Sequence, residues 1–435
     1  MDDTIPTGKI KRTLSSGKVV TRLGRSQLTY YLKKPFLSRE RQAGYRREKE
    51  VQNARIIFEG LTLLRGTALK AAQMLSLESE VIPGSLRKEL EKSYNQVPPI
   101  NRALARKIII NNLNAPPEQI FDTFETKAFA AASLGQVHRA ATREGDHLAV
   151  KIQYPDIAAT ISNDIRLLRG MLRPMSQYNI IKTALSEIET VLLNETDYEK
   201  EAANILFFKD HLSLNRVHVP AVFPEYSSRH VLSMSHMKGL PLNKWLETRP
   251  DQSSRNRIAQ ILHDIFVRGF YELKTLHADP NPGNFLITED LHVGLLDFGC
   301  VRRFDDRFIQ IYRDLIRIST GRDRDAYLDL LMRIRLVTPD FDPGAASELV
   351  DLFISIGDWF SRLFRETWFD FGAEPDFMAQ GRQIGMEMHK FRKHIQTITP
   401  EFIFLDRTRY GLMRLFERMK AKIRIRNRYE HPGTG

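Results

Sequence analysis

His277-Ala278-Asp279-Pro280-Asn281-Pro282-Gly283-Asn284 is followed, thirteen residues after Asn284, by Asp297-Phe298-Gly299. Phosphoryl transfer from ATP asks for little covalent chemistry from a protein. It asks for metal ions to neutralise phosphate charge and for a carboxylate beside the attacking hydroxyl. A loop with Asp279 and, five residues on, Asn284 offers a base and a metal ligand. Asp297, after the short strand predicted at Val293-Gly-Leu-Leu296, offers the main metal carboxylate. Hard oxygen ligands at this spacing suit magnesium. A capping Asp and a turn Asn would explain one motif but not both in order with a strand between them.

Working outward, Ala149-Val150-Lys151 ends a predicted strand, Leu148–Ile152. A lysine there can reach the α- and β-phosphates of a nucleotide if a glutamate from a following helix holds it. Most strand lysines are simply solvated, so Lys151 gains its weight from preceding the Asp/Asn pair. Between strands lies Ala128-Phe-Ala130-Ala131-Ala132-Ser133-Leu-Gly135-Gln136-Val-His138, where a kinase keeps a Gly-rich phosphate-covering loop. Alanine lacks glycine's freedom at positive φ, so fewer backbone N–H groups can turn toward phosphates. By itself this stretch reads as a tight turn. Glu195-Thr-Asp197-Tyr-Glu199-Lys-Glu201 reads as a helical patch of carboxylates, ordinarily a solvated face. In Leu64-Arg-Gly-Thr-Ala-Leu-Lys70-Ala-Ala-Gln73, Lys70 and Gln73 share a helix face beside a seam of small residues.

The rest of the chain fits around these stretches. Its 435 residues suit one bilobal unit or two domains, and 42% apolar with 27% charged residues is ordinary for a folded protein. The net charge of +12 sits at the ends. Residues 1–50 hold thirteen Lys and Arg against five Asp and Glu, and residues 401–435 hold nine against four. Such ends suit an anionic membrane surface or stay solvated. No aromatic-and-basic platform points to nucleic acid. The single Cys300 excludes an internal disulfide framework and is expected to pack beside the nucleotide pocket. No apolar run approaches the roughly 18 residues of a membrane span, and no signal peptide is evident. A cytoplasmic protein, peripherally associated with a membrane, is expected.

The order of elements is helical, then a small antiparallel sheet with helices, then a larger helical half. The expected fold is α+β: a protein-kinase-like bilobal fold with an N-terminal helical extension. The expected boundaries are a basic arm at 1–38, the extension at 39–118, a sheet-containing N-lobe at 119–236, a helical C-lobe at 237–425 and a tail at 426–435.

Together these stretches resemble the UbiB/AarF-type, ADCK-like atypical kinases, over about residues 60 to 425. The alanine-rich loop, the Lys70–Gln73 helix, the Glu-x-Asp element and the ending Thr399-Pro-Glu-Phe-Ile-Phe-Leu-Asp-Arg407 are shared with that family. The resemblance implies that Lys151 binds phosphate with Glu201 as its partner, and that Ala130, Ala131, Ala132 and Ser133 line the nucleotide. It implies that Asp279 is catalytic, that Asn284 and Asp297 hold Mg2+, and that Glu195 and Asp197 form the Glu-x-Asp element. Lys70 and Gln73 would belong to a helix that lies, in the family, over the active site. One departure stands out: Ala72 occupies the position of a family glycine. The resemblance implies ATP (or ADP) as ligand, an ATPase or unorthodox kinase activity, and a link to ubiquinone or other isoprenoid-lipid metabolism, with a lipid or quinone precursor as partner. Many members carry membrane-spanning segments, and this chain shows none. A small-molecule phosphotransferase and a catalytically idle nucleotide- or lipid-binding scaffold are the alternatives. The sequence leaves the phosphoryl acceptor and the oligomeric state open.

Overall fold

In the strand around Leu148, Val150 and Ile152, alternate side chains point to one face, and all three are fully buried. The computed structural model that contains this strand describes residues 102–430 apart from 133, 174–177, 392–394 and 396–399, together with single positions between 21 and 71. The chain divides into two compact units, one of residues 1–200 and 223–233, the other of residues 201–222 and 234–435.

In chain order the described elements begin with α1 (Arg102–Leu113), α2 (Pro117–Ile120), β1 (Thr123–Phe124), β2 (Ala130–Ala132), β3 (Gly135–Ala141) and β4 (His147–Gln153). They continue through α3 (Ile157–Leu172), α4 (Tyr178–Asn194), α5 (Tyr198–His211), β5 (Val217–His218) and β6 (Val231–Ser235). Next come β7 (Leu240–Pro241), α6 (Leu242–Glu247), α7 (Gln252–Tyr271), β8 (Thr275–His277), β9 (Phe285–Ile287), β10 (Val293–Leu295) and β11 (Val301–Arg303). The last are α8 (Asp306–Ser319), α9 (Arg324–Arg333), α10 (Pro343–Ser361), β12 (Trp368–Asp370), α11 (Phe377–Gly385), α12 (Pro400–Met419) and β13 (Lys422–Arg424).

The sheet of the first unit runs β1-β3-β4-β6, with β2 hydrogen-bonded to β3. Its inner face packs Ala140, Leu148, Val150, Ile152 and Val231 against Ala105, Ile108 and Ile109 of α1 and against Phe121. Val137 stands opposite Lys151 in the β3–β4 register. The two strands come so close at Gly135 that a Cβ there would lie 2.1 Å from the Ile152 carbonyl oxygen. The alanine-rich stretch is not simply a loop. Ala130, Ala131 and Ala132 pair with Val137, Gln136 and Gly135, because a neighbouring strand satisfies their backbone groups despite alanine's poor strand propensity. The expected helical carboxylate patch also changes. Glu195 and Asp197 sit in the turn between α4 and α5, where Asp197 Oδ1 accepts the Lys200 amide at 3.0 Å and caps α5.

In the second unit β5-β10-β9-β7 form one small sheet, in which β5 and β10 run parallel. The ribbons β8–β11 and β12–β13 are separate and antiparallel. Helix starts are set by aspartates: Asp251, Asp305, Asp323 and Asp342 each accept backbone amides of the first turn of α7, α8, α9 and α10.

The stretch after 425 was expected to be a tail, yet its described part is packed. Tyr429 stacks on Tyr271 with ring centroids 5.3 Å apart. The Glu430 carboxylate, fully buried, takes hydrogen bonds from Arg409 at 2.6 Å and Tyr271 at 2.7 Å. Burial pushes its pKa up, but Arg409 and these hydrogen bonds hold it below the usual carboxylate range. The buried Arg409 guanidinium also lies over the Phe266, Tyr312, Phe360 and Phe364 rings.

His263 of α7 is buried nearby, with Nε2 3.2 Å from the Ile425 carbonyl oxygen. Burial, helped by the Arg409 cation, pushes its pKa from 6.5 to about 4. The unfolded chain therefore binds this proton more readily, so stability present above pH 6.5 is lost as pH falls toward 4. The loss is about 3 kcal/mol at most. Denaturant titrations at pH 7 and pH 4.5 should show His263→Gln losing less stability between the two than wild type. Equal losses would refute the assignment.

One face of α12 meets the 277–284 loop. A Cβ on Gly411 would lie 2.3 Å from Pro280 Cγ. Gly411→Ala is expected to destabilise by about 1–3 kcal/mol through overpacking. Adding Pro280→Ala should recover most of that loss in a double-mutant cycle. Strict additivity would show that the contact does not carry the effect.

Candidate active site

Each element of the site follows from local sequence. Pro280 and Pro282 cannot extend a helix or strand, so the chain after β8 is held in an open loop. Asn281 caps a single 3-10 turn by accepting the Gly283 amide at 2.9 Å, and that turn delivers Asn284 at the start of β9. The Asn284 side chain is nearly buried, and its Nδ2 donates to Asp279 Oδ2 at 2.8 Å. The two residues of the Asp-x4-Asn motif are therefore together. Because the amide nitrogen is engaged with Asp279, the Asn284 side-chain oxygen is the atom left for a hard cation.

Asp297 follows β10 with φ at +54°, the left-handed region. That conformation is costly for a non-glycine residue and is locally supported. Oδ1 of Asp297 accepts the Gly299 amide at 3.3 Å. Nε2 of His277 lies 3.0 Å from the Leu296 carbonyl oxygen and 2.9 Å from that of Asp297. Both partners are acceptors, so the proton sits on Nε2. Phe298 is fully buried, edge-on to His277 with centroids 5.3 Å apart and 5.4 Å from the Phe208 ring of α5. Asn204 of α5 donates to the Phe298 carbonyl at 2.9 Å. Cys300 is buried, as expected of a packing residue, with Sγ 3.7 Å from the Ala278 carbonyl oxygen.

Lys151 lies in β4 of the first unit, 7% exposed. Its ammonium sits 5.1 Å from the centroid of the buried Tyr198 ring, a cation–π contact. Glu201 is 1% exposed, one turn into α5, and belongs to the second unit. Glu195 and Asp197 are half-buried in the preceding turn. Ala130 is exposed in β2, while Ser133, Lys70 and Gln73 lie outside the described residues. Near the last two, Thr67 and Ala71 are buried, and the Thr67 hydroxyl donates to the buried Asp164 carboxylate of α3.

Among the described residues no group of three or more His, Cys, Asp and Glu side chains could enclose a metal by itself. The Asp297 and Asn284 oxygens suit an ion that takes only one or two protein ligands and completes its shell with phosphate and water. That is the habit of magnesium. No helix among those residues is long and apolar enough to cross a membrane.

Three residues escaped the reading of the sequence as contributors to the site. His277 was visible only as the first letter of its motif. Tyr198 sat unremarked among carboxylates. Arg407, which ends the Thr399–Arg407 stretch, brings its guanidinium 4.0 Å from Asp279 Oδ1.

Comparison with known proteins agrees with this construction. A family model for the ABC1 atypical kinase-like domain matches residues 92–331. The atypical kinase COQ8B, mitochondrial, of Danio rerio is 28% identical, covering 98% of this chain and 68% of that protein. Its Rattus norvegicus counterpart is 30% identical over 85% of this chain and 70% of its own length. The COQ8 atypical kinase of Saccharomyces cerevisiae is 30% identical over 68% of this chain and 60% of that protein. A solved complex of Rv3197 with erythromycin from Mycobacterium tuberculosis shares the fold with a TM-score of 0.58. It is 22% identical and covers 89% of this chain and 96% of that one. The family model spans the alanine-rich hairpin, Lys151, the Asp279–Asn284 loop and Asp297, the same residues whose geometry was built above, and the chain belongs to the ABC1 atypical kinase-like family.

Proposed function

We propose that this protein binds ATP with Mg2+ and transfers or hydrolyses its terminal phosphoryl group, acting as an atypical kinase or ATPase. The observation that carries this reading is the Asp279–Asn284 hydrogen bond at 2.8 Å, made beside a loop that His277 ties to the Asp297 backbone. It brings a proton-accepting carboxylate and a hard-oxygen side chain together in the order phosphoryl transfer needs.

In this reading Lys151 holds the α- and β-phosphates, steadied by Tyr198 and paired with Glu201, while Ala130, Ala131, Ala132 and Ser133 cover the nucleotide. Asn284 and Asp297 supply oxygen ligands to the metal. The bound magnesium–ATP supplies the transferable group and neutralises its charge. Asp279 orients the attacking hydroxyl or water and takes its proton as the oxygen–phosphorus bond forms and the bond to the ADP oxygen breaks. Lys70, Gln73, Glu195 and Asp197 belong to the family-specific elements that restrict which acceptor enters. The expected division into arm, extension and two lobes is kept with this proposal.

The metabolic assignment is ubiquinone or other isoprenoid-lipid metabolism, with a quinone precursor or prenyl lipid as partner. The named relatives support it, since two of them are mitochondrial COQ8B kinases. The basic ends at 1–50 and 401–435 support association with an anionic membrane surface.

Thermal unfolding tests the nucleotide reading without knowledge of the acceptor. ATP at about 100 times its Kd should stabilise wild type by about 2.7 kcal/mol, a shift of several degrees, and the shift should require magnesium. Asp297→Asn should lose the magnesium-dependent part and keep the fold. No magnesium-dependent shift in wild type would sink the proposal.

A further inference from the structure

Arg407 and Arg409 stand two residues apart on α12 and are treated in opposite ways. Arg409 is buried, forked onto the Glu430 carboxylate and covered by aromatic rings. The Arg407 side chain is 28% exposed, and among the described residues its guanidinium donates no hydrogen bond. Its one charged neighbour there is Asp279 Oδ1 at 4.0 Å, beyond hydrogen-bonding reach, while Asp279 Oδ2 is already taken by Asn284. A guanidinium carries five donors in a rigid fork shaped for carboxylate and phosphate oxygens. No Arg407 nitrogen is both buried and unpaired among the described residues, so the fork stays open to solvent beside Asp279 and can take an anion there.

We propose that Arg407 is an oxyanion-binding residue at the acceptor side of the catalytic loop, taking a phosphoryl oxygen or a chemically equivalent anion. The proposal rests on the reading of Asp279 as the group that faces the acceptor. A ligand hydroxyl on Asp279 and an anionic group on Arg407 would then sit within a few ångströms of each other. The loop supports this pairing from behind, because Gly411, one turn beyond Arg407 on α12, lets the helix close on Pro280. The oxyanion has two sources, the terminal phosphate of the nucleotide or an anionic group on the acceptor itself.

The test uses the full chain and inorganic phosphate as the probe, read by thermal shift with and without magnesium–ADP. Wild type should be stabilised by phosphate. Arg407→Gln should weaken phosphate binding roughly 10-fold or more, and Arg407→Lys should weaken it less, since a point charge replaces a fork. Asp279→Asn removes the competing carboxylate and should tighten it. A second arm compares magnesium complexes of ADP and of a non-hydrolysable ATP analogue. If Arg407→Gln weakens the analogue but not ADP, the oxyanion is the nucleotide's terminal phosphate. If it weakens neither nucleotide while phosphate binding falls, the oxyanion belongs to the acceptor. Either result supports the assignment. Phosphate binding that is undetectable in wild type, or equal in wild type and Arg407→Gln, overturns it. Nucleotide shifts that persist in that case leave the ATP reading standing, and their absence in wild type would remove the ATP reading while phosphate alone still reports on Arg407.

Discussion

The Nε2–H of His277, shared between the carbonyl oxygens of Leu296 and Asp297, is the interaction on which the site depends. Asp297 occupies the left-handed region, where a non-glycine residue carries strain of about 1–3 kcal/mol. Something must hold the turn there, and His277 does so from two residues before Asp279. One imidazole thus fixes the Asp297 turn relative to the loop that bears Asp279. The β8–β11 ribbon adds a second tie, since His277 stands opposite Val301 in register. The edge-on Phe298 ring fills the space behind the imidazole and links the turn to Phe208 and Asn204 of α5. Two carboxylates and an amide are placed by short-range contacts among residues 277–299, with a few anchors beyond.

Those anchors show how a distant segment enters the site. Helix α12 reaches the catalytic loop with Arg407 and Gly411, and it grips the end of the chain with Arg409. The Arg409–Glu430 pair is buried, so its worth as net stability is small beside its worth in fixing one arrangement. Removing either partner would strand the other charge among aromatic rings. A residue near the C-terminus therefore helps hold the helix that bears on Asp279 and Pro280.

How much of this could be read from residues alone depended on range. The Asp279–Asn284 pairing was legible because five residues of spacing keep both in one loop, and the turn residues Pro280 and Pro282 mark where that loop must bend. The burial of Lys151 was not legible, because a lysine in a strand is ordinarily solvated and only its place before the Asp/Asn pair singled it out. The hairpin at Ala130–Ala132 was not, because alanine has no preference that announces a strand and the pairing with Gly135–Val137 supplies it. The β12–β13 ribbon joins Trp368–Asp370 to Lys422–Arg424 across two intervening helices, and nothing local marks two three-residue strands as partners. Glu430 looked like part of a charged tail, since a carboxylate's burial is legible only once its arginine is located.

The same distinction of range separates chemistry from selection. The residues proposed to handle phosphate and metal lie in β4 and in the 277–299 segment, where phosphoryl transfer would need them. Residues that bear on Asp279 from outside that segment come from α12, more than a hundred positions later. Asp279 is 29% exposed on its side chain and Asn284 is nearly buried, so the carboxylate faces outward while its hydrogen-bond partner faces in. Arg407 stands at Oδ1 of Asp279, the oxygen that Asn284 does not hold. In the proposed reading α12 is thereby also the helix that bears on the choice of acceptor, within the limit that Gly411 stays small enough to close on Pro280.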